Sequence, residues 1–317
     1  MTIKETKIIF MGTSFFAKEI LKNLVENDLN IPLVVTQSDK PAGRKKELRP
    51  SEVKRFALKK NLEIAQFEKL DESAFEQIKS VQPQLVIVAS YGMIIPESFL
   101  SEPEFGYVNV HTSLLPELRG PSPIQTALLK SSKETGVTIM KMDAGVDSGD
   151  ILSQKKVSIA PKDKYPELEK KLIEKSNEIL IPTLESYIQK EIKPQPQDHS
   201  LATFTKIIKK SDGKIDWEKP AEKTFDQFRA FYDWPQIYSY WENKKGKKKI
   251  ALTEIKLHES QDDSKNNGEV YQKEDLILVK TPKGSISIKK IRLEGKPEME
   301  IKNFLNGYPH LIGNILE

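Results

Sequence analysis

The sequence predicts an α/β protein in two parts. The first is an open, mostly parallel sheet with helices on both faces; the second is a smaller C-terminal β-barrel. Short apolar runs alternate with helix-period patterns up to about residue 155, the rhythm of a sheet crossed by helices. A long helical stretch at 164–190 is followed by EIKPQPQDHS (191–200), where two prolines forbid a helix. From 207 the texture turns to short strands divided by Gly, Asn, Asp and Pro-Lys-Gly turns. These features describe a Rossmann-like domain over 1–190, a linker over 191–206 and an OB-like barrel over 207–317.

Each element has its own signal. KIIFMG (7–12) reads as a buried strand, QLVIVASYG (84–92) as a strand with an almost continuous apolar run, and IPLVVTQ (31–37) and YVNVH (107–111) as further strands. AKEILKNLVEN (17–27), SEVKRFALKKN (51–61) and PIQTALLK (123–130) carry apolar residues at helical spacing. VTIMKMD (137–143) and ILSQKKVSI (151–159) form a strand pair around a turn. The later strands are YSYWE (238–242), KKIALTEIKL (248–257), GEVYQKE (268–274), DLILVKT (275–281) and SISIKKIRL (285–293).

Composition narrows the chemistry. The 317 residues suit about two domains. Cysteine is absent, which removes thiolate metal sites, disulfides and cysteine nucleophiles. The four histidines are scattered without metal-ligand spacing, so no metal is expected. No apolar run nears the roughly 20 residues of a membrane span, and the start lacks a signal-like apolar region. A cytoplasmic monomer is expected.

The formal net charge of +4 says little, but its distribution says more. Nine basic residues lie between 40 and 60, among them Lys40, Arg44, Lys45, Lys46 and Arg49, against Glu47 and Glu52 alone. A second run holds Lys244, Lys245, Lys247, Lys248 and Lys249. Such clusters neutralise phosphates or simply solvate a surface, and charge alone does not choose.

Three segments hold candidate chemistry. Gly12 stands alone after the first strand where a dinucleotide site wants G-x-G-x-x-G, so NAD binding is not supported. Asn109 and His111 are two apart on a strand, so they share a face at its carboxyl end. An amide donor beside an imidazole can polarise a carbonyl and hold a tetrahedral oxyanion. DAGVDSGD (143–150) offers Asp143, Asp147 and Asp150, any of which could orient His111; spacing does not select among them.

Taken together, these segments resemble the 10-formyltetrahydrofolate-dependent formyltransferases over nearly the whole chain. The likeness is densest in GTSFFA (12–17), TQSDKPAGR (36–44), VIVASYGMIIP (86–96), NVHTSLLPELRG (109–120), PIQ (123–125) and TGVTIMKMDAGVDSGDIL (135–152). It implies an Asn109–His111–Asp147 catalytic triad and 10-formyltetrahydrofolate as formyl donor. It also implies a folate cleft bounded by Tyr91, Gly92, Met93, Ile94, Ile95 and Pro96 on one side and Ser113, Leu114, Leu115 and Pro116 on the other. The basic loop after the second strand and the lysine-rich second domain resemble those of the members that act on initiator methionyl-tRNA. The chain departs from the family's usual wording at Ser14, in Gly43-Arg44-Lys45-Lys46-Glu47-Leu48, which lacks a second glycine, and at Pro121-Ser122, none within the triad. Two other readings make different predictions. A relative acting on an amino sugar or small amine would turn over without tRNA. A non-catalytic RNA-binding scaffold would bind tRNA regardless of His111, and the intact triad argues against it.

Overall fold

The computed structural model describes residues 2–42, 47–243, 246–259 and 262–317. The chain divides into two compact units. One comprises Met1–Pro123, Glu134–Ile159 and Glu169–Lys206; the other comprises Ile124–Lys133, Ala160–Leu168 and Ile207–Glu317.

The first unit is built on β1 (Ile8–Gly12), α1 (Phe15–Glu26), β2 (Leu33–Gln37), a hairpin of β3 (Lys40–Ala42) and β4 (Glu47–Arg49), α2 (Glu52–Lys59), β5 (Ile64–Phe67), α3 (Glu72–Ser80), β6 (Leu85–Ala89), α4 (Glu97–Leu100) and β7 (Tyr107–His111). β8 (Glu134–Lys141), β9 (Ile151–Ser158) and α6 (Tyr165–Ile188) from Glu169 onward complete it, whereas α5 (Pro123–Leu129) from Ile124 and the first turn of α6 belong to the second unit. Seven strands form one sheet in the order β5-β2-β1-β6-β7-β8-β9. The pairs from β5 to β7 are parallel and the last two antiparallel. The mostly parallel expectation therefore holds.

Burial explains the strand compositions. All five residues of β1 and of β6 are buried, as strands covered on both faces require. The edge strand β9 is exposed over Gln154–Lys156. Helix α1 buries Phe16, Ala17, Ile20, Leu21 and Leu24, a single helical face. Ser14, a departure from the family's usual wording, is its N-cap and accepts from the Ala17 amide. Strand β6 stops at Ala89, short of the expected Gly92, because Ser90 and Gly92 take left-handed φ of 43° and 78°. Strand β5 and helix α3 were not expected: IAQF is too short and mixed to signal a strand.

Sheet order positions the site. Strand β1 lies between β2 and β6, so successive connections leave in opposite directions from it, and a crevice opens at the carboxyl ends. Gly12 closes β1 there because a Cβ would sit 2.7 Å from the Ala17 Cβ and 2.9 Å from the Ala89 carbonyl oxygen. The Thr13 hydroxyl and the Gln37 amide both donate to the Tyr91 carbonyl, at 2.9 and 2.8 Å, tying three strand ends together.

Residues 191–206, expected as a linker, run along this unit: Gln195 bridges to Ile151, and Phe204 to Arg119.

The second unit contains α7 (Ala221–Ala230), β10 (Tyr238–Asn243), β11 (Gly246–His258), β12 (Val270–Lys273), β13 (Leu276–Lys280), β14 (Ser285–Leu293), β15 (Met299–Glu300) and α8 (Ile301–Gly307). Its antiparallel sheet runs β10-β11-β14-β13-β12, with β15 beside β14. The last residues curl it into a barrel. Glu317 exchanges hydrogen bonds of 2.8 and 2.9 Å with Tyr240, while Leu316 and Asn314 bond Gly268 and Val270 on the opposite side. Trp241 and Phe304, edge-to-face with centroids 6.0 Å apart, anchor the core. The helices α7 and α8 were not foreseen in a region read as mostly β.

Ile87, fully buried at the centre of β6, tests this core. Ile87→Ala is expected to destabilise the first unit by about 2–5 kcal/mol, measured by chemical denaturation.

Candidate active site

The three triad residues converge in the first unit. Asn109 and His111 share one face of β7, opposite Met140 and Thr138 of β8. The 143–150 loop brings Asp147 to them. Its carboxylate accepts from Asn109 Nδ2 through Oδ1 at 3.2 Å and from the Gly120 amide through Oδ2 at 2.7 Å. His111 Nδ1 lies 3.6 Å from the same Oδ2. His111 Nε2 lies 3.1 Å from the Leu118 carbonyl oxygen, to which it donates. His111 is only 6% exposed and the Asp147 side chain 16%, so these charges and dipoles act with little water between them.

The loop geometry selects Asp147 from the three acids. Asp143 is exposed and accepts from the Gly145 amide and the Ser148 hydroxyl, shaping the turn instead. Asp147 itself takes a left-handed φ of 50°. Gly149 lets the loop return against β8, because a Cβ there would lie 1.9 Å from the Lys141 carbonyl oxygen. Two partners escaped the sequence reading because they are main-chain groups: the Leu118 carbonyl and the Gly120 amide. Gly120 has φ 106°, and its Cβ would crowd Thr205 Oγ1 at 2.9 Å, which is the only side-chain trace of this role.

The residues expected around folate line two segments leaving the adjacent parallel strands β6 and β7. In the first, Tyr91 is core: its hydroxyl is buried without a partner among the described residues, and burial pushes its pKa up to about 12. Met93 and Ile95 pack partly against the same core cluster, whereas Ile94 is 89% exposed. Gly92 supplies the left-handed turn, and Pro96 precedes α4. In the second, the buried Ser113 hydroxyl donates to the Glu117 carbonyl at 2.5 Å. The Leu115 amide donates to Thr138 Oγ1, and the Leu115 carbonyl accepts from Gln154. Leu114 lies over Gly136, where a Cβ would approach it to 2.3 Å, and Pro116 accepts from the Thr203 amide.

Gly43, Arg44, Lys45 and Lys46 of the basic loop lie outside the described residues. Lys40 sits on β3 and donates to Gln37, and Arg49 is exposed on β4. Lys54 is committed elsewhere. It bonds both Asp39 oxygens at 2.9 Å and Gln66 at 2.7 Å, and with Gln66 it holds the Asp39 carboxyl below its usual range.

In the second unit Lys244 and Lys245 likewise fall outside the described residues, but Lys247, Lys248 and Lys249 form the start of β11. The aromatic neighbours explain how a lysine run becomes a strand. The Lys249 ammonium stands 3.5 Å from the Tyr238 ring centroid, and Lys247 5.3 Å from Tyr240 while pairing with Glu317. Burial lowers the Lys249 pKa; Glu294 opposes this, and nearby Lys210 and Arg292 add to it. Lys214, 5.9 Å over Tyr240, belongs to the same group. Sequence reading missed Lys210, Lys214 and Arg292, which lie apart from the run and join it only through the fold.

Gly149→Ala is expected to lower thermal stability by several degrees, while Gly307→Ala, with no atom near the added methyl, leaves it within about a degree. Differential scanning calorimetry compares them.

Residues 6–184 match the formyl transferase family model, and residues 207–309 match the formyl transferase C-terminal domain. The methionyl-tRNA formyltransferase of Caldicellulosiruptor saccharolyticus is 42% identical over 98% of this chain and 99% of its own. That of Streptococcus thermophilus is 40% identical over 95% and 96%. Among solved structures, HypX from Aquifex aeolicus in complex with tetrahydrofolic acid aligns with TM-score 0.66 at 15% identity, over 97% of this chain and 48% of its own. This chain thus spans about half that protein. WlaRD, a sugar 3N-formyl transferase, aligns with TM-score 0.64 at 18% identity, over 92% and 99%. At such identities the two structures speak for the fold. The sequence relatives and the two domain matches go further: the chain belongs to the formyl transferase family, among the methionyl-tRNA formyltransferases.

Proposed function

We propose that this enzyme transfers the formyl group of 10-formyltetrahydrofolate to the α-amino group of methionyl-initiator tRNA, in the cytoplasm, where initiation complexes form. The observation that carries the reading is the convergence of Asn109, His111 and Asp147 at the end of β7. It occurs in a chain about two-fifths identical to enzymes of that name.

The geometry divides the labour. The neutral amine attacks the formyl carbon, and the carbonyl π pair moves onto oxygen. Asn109 Nδ2 has two protons and spends one on Asp147; the other is available to the developing oxyanion. Because His111 Nε2 donates to Leu118, the neutral ring carries its lone pair on Nδ1. Nδ1 takes the proton that the attacking nitrogen sheds, and the Asp147 carboxylate 3.6 Å away stabilises the imidazolium. As the bond from carbon to N10 breaks, its electron pair goes to N10, which receives that proton. This assigns His111 to proton transfer and leaves oxyanion stabilisation to Asn109. The cleft reading for the folate rests on the two segments at the β6 and β7 ends.

The lysines and tyrosines at the start of β11 fit a phosphate backbone, with Lys210, Lys214 and Arg292 extending the charge. The loop residues 40–49 are assigned to the same partner on the resemblance alone.

The test is formyl transfer from 10-formyltetrahydrofolate to charged initiator tRNA, with free methionine and a nucleotide-linked amino sugar in parallel. Transfer to the tRNA alone supports the reading; transfer only to the sugar contradicts it. Asn109→Ala is expected to lower kcat about 100- to 1,000-fold with the protein still folded. Replacing Lys247 and Lys249 with alanine is expected to reduce the slope of log affinity for tRNA against log salt by about 2. An unchanged slope would return these lysines to the solvated surface.

A further inference from the structure

Asp147 is held from behind as well as in front. Its carboxylate faces Asn109, Gly120 and His111, while its main-chain carbonyl accepts from Gln197 Nε2 at 3.0 Å. The same nitrogen donates to the Gly149 carbonyl at 2.6 Å. One side-chain amide therefore spans the turn that aims Asp147, donating to the carbonyl of the residue itself and to the carbonyl two residues on. The other end of the amide is equally committed. Gln197 Oε1 accepts from Arg119 Nε at 3.2 Å and from an Arg119 terminal nitrogen at 2.7 Å. A guanidinium can only donate and a carbonyl can only accept, so the amide has one orientation.

Arg119 and Gln197 are 4% and 5% exposed, and no carboxylate among the described residues pairs with this guanidinium. A buried cation without an anion is costly unless neutral acceptors are fixed around it. Gln197 and His199 Nδ1, 3.0 Å from Arg119, supply those acceptors. Arg119 also sits between Leu118 and Gly120, whose carbonyl and amide serve His111 and Asp147 directly. Its own amide and carbonyl bond Thr203 and Thr205 at 2.8 Å each. The 197–205 segment thus grips both backbones from which the triad's partners come.

We infer that Gln197, clamped by Arg119, is a positioning residue for Asp147, and that the 197–205 segment is part of the catalytic apparatus; this rests on the triad reading above. Gln197 touches no reacting atom. It acts by holding a left-handed turn at the angle that places the Asp147 carboxylate against His111. Displacements of about 1 Å at such a group cost as much as 100-fold in rate.

Gln197→Glu separates this role from packing. The new carboxylate keeps the volume and pairs with Arg119, but it has no N–H for the Asp147 and Gly149 carbonyls. The ion pair with Arg119 offsets part of the loss of those two hydrogen bonds, so the variant is expected to stay folded with melting lowered by a few degrees. For transfer to methionyl-tRNA, kcat is expected to fall about 10- to 100-fold while KM for the formyl donor changes less than about twofold. In an Asp147→Asn background the same substitution is expected to cost less than about twofold, since its effect runs through that carboxylate. A second readout needs no substrate: the Gly120 amide proton, bonded to Asp147, is expected to move upfield in the nuclear magnetic resonance spectrum. Should the glutamate variant fold poorly, Gln197→Met, which keeps the bulk and removes the amide, enters the same cycle. A kcat equal to wild type, a loss undiminished in the Asp147→Asn background, or an unmoved Gly120 amide would overturn the assignment. A wild type that never formylates methionyl-tRNA would instead sink the proposed reaction, and the Gly120 signal would still decide the positioning role.

Discussion

The site depends on one constraint, the placement of a nearly desolvated carboxylate where three different strand and loop ends meet. Asp147 gathers an amide proton from Gly120, a side-chain proton from Asn109 and the charge-accepting edge of His111. The parts come from three kinds of structure. Asn109 and His111 come from the pleat of β7, which puts alternate residues on one face. Gly120 comes from a turn only glycine fits, and Asp147 from a loop wound into a left-handed residue. A carboxylate in this setting polarises its partners more strongly than one in water, because little solvent competes. Without the fold's closure around it, the same three side chains would be an ordinary hydrogen-bonded group.

Much of this was legible in the residues. Continuous apolar runs such as LVIVA (85–89) announce strands buried on both faces, and the observed β6 is buried throughout. The spacing of Asn109 and His111 announces their common face. What the pattern could not show was supplied by main-chain groups and by residues remote in sequence. The Leu118 carbonyl and Gly120 amide have no side-chain signature. The prolines before Gln197 forbid helix but say nothing of pairing, and Gln195 and Phe204 bridge to Ile151 and Arg119. Element IAQF (64–67) went unseen because four residues with one fully buried position carry little periodicity.

The second unit shows the same limit with charge. A run of lysines reads as solvated surface or as a phosphate site, and sequence offers no means to decide. The fold lays this run into β11 beside Tyr238 and Tyr240 and adds Lys210, Lys214 and Arg292 from elsewhere. Aromatic faces shelter the lysine stems while leaving positive charge concentrated, a surface suited to a polyanion. By contrast, Lys54 in the earlier basic stretch is satisfied by Asp39 and Gln66. Counting charges along a chain therefore does not show which of them the fold pairs internally.

The central claim is that Asn109, His111 and Asp147 form the place where the formyl group changes hands. The most direct measurement is a crystal structure with 5-formyltetrahydrofolate, a stable isomer of the donor, bound. The account predicts the pterin between the segments following β6 and β7, with the reactive edge of the folate facing Asn109 Nδ2 and His111 Nδ1. A folate bound at full occupancy elsewhere on the protein, with the triad facing only solvent, would contradict it.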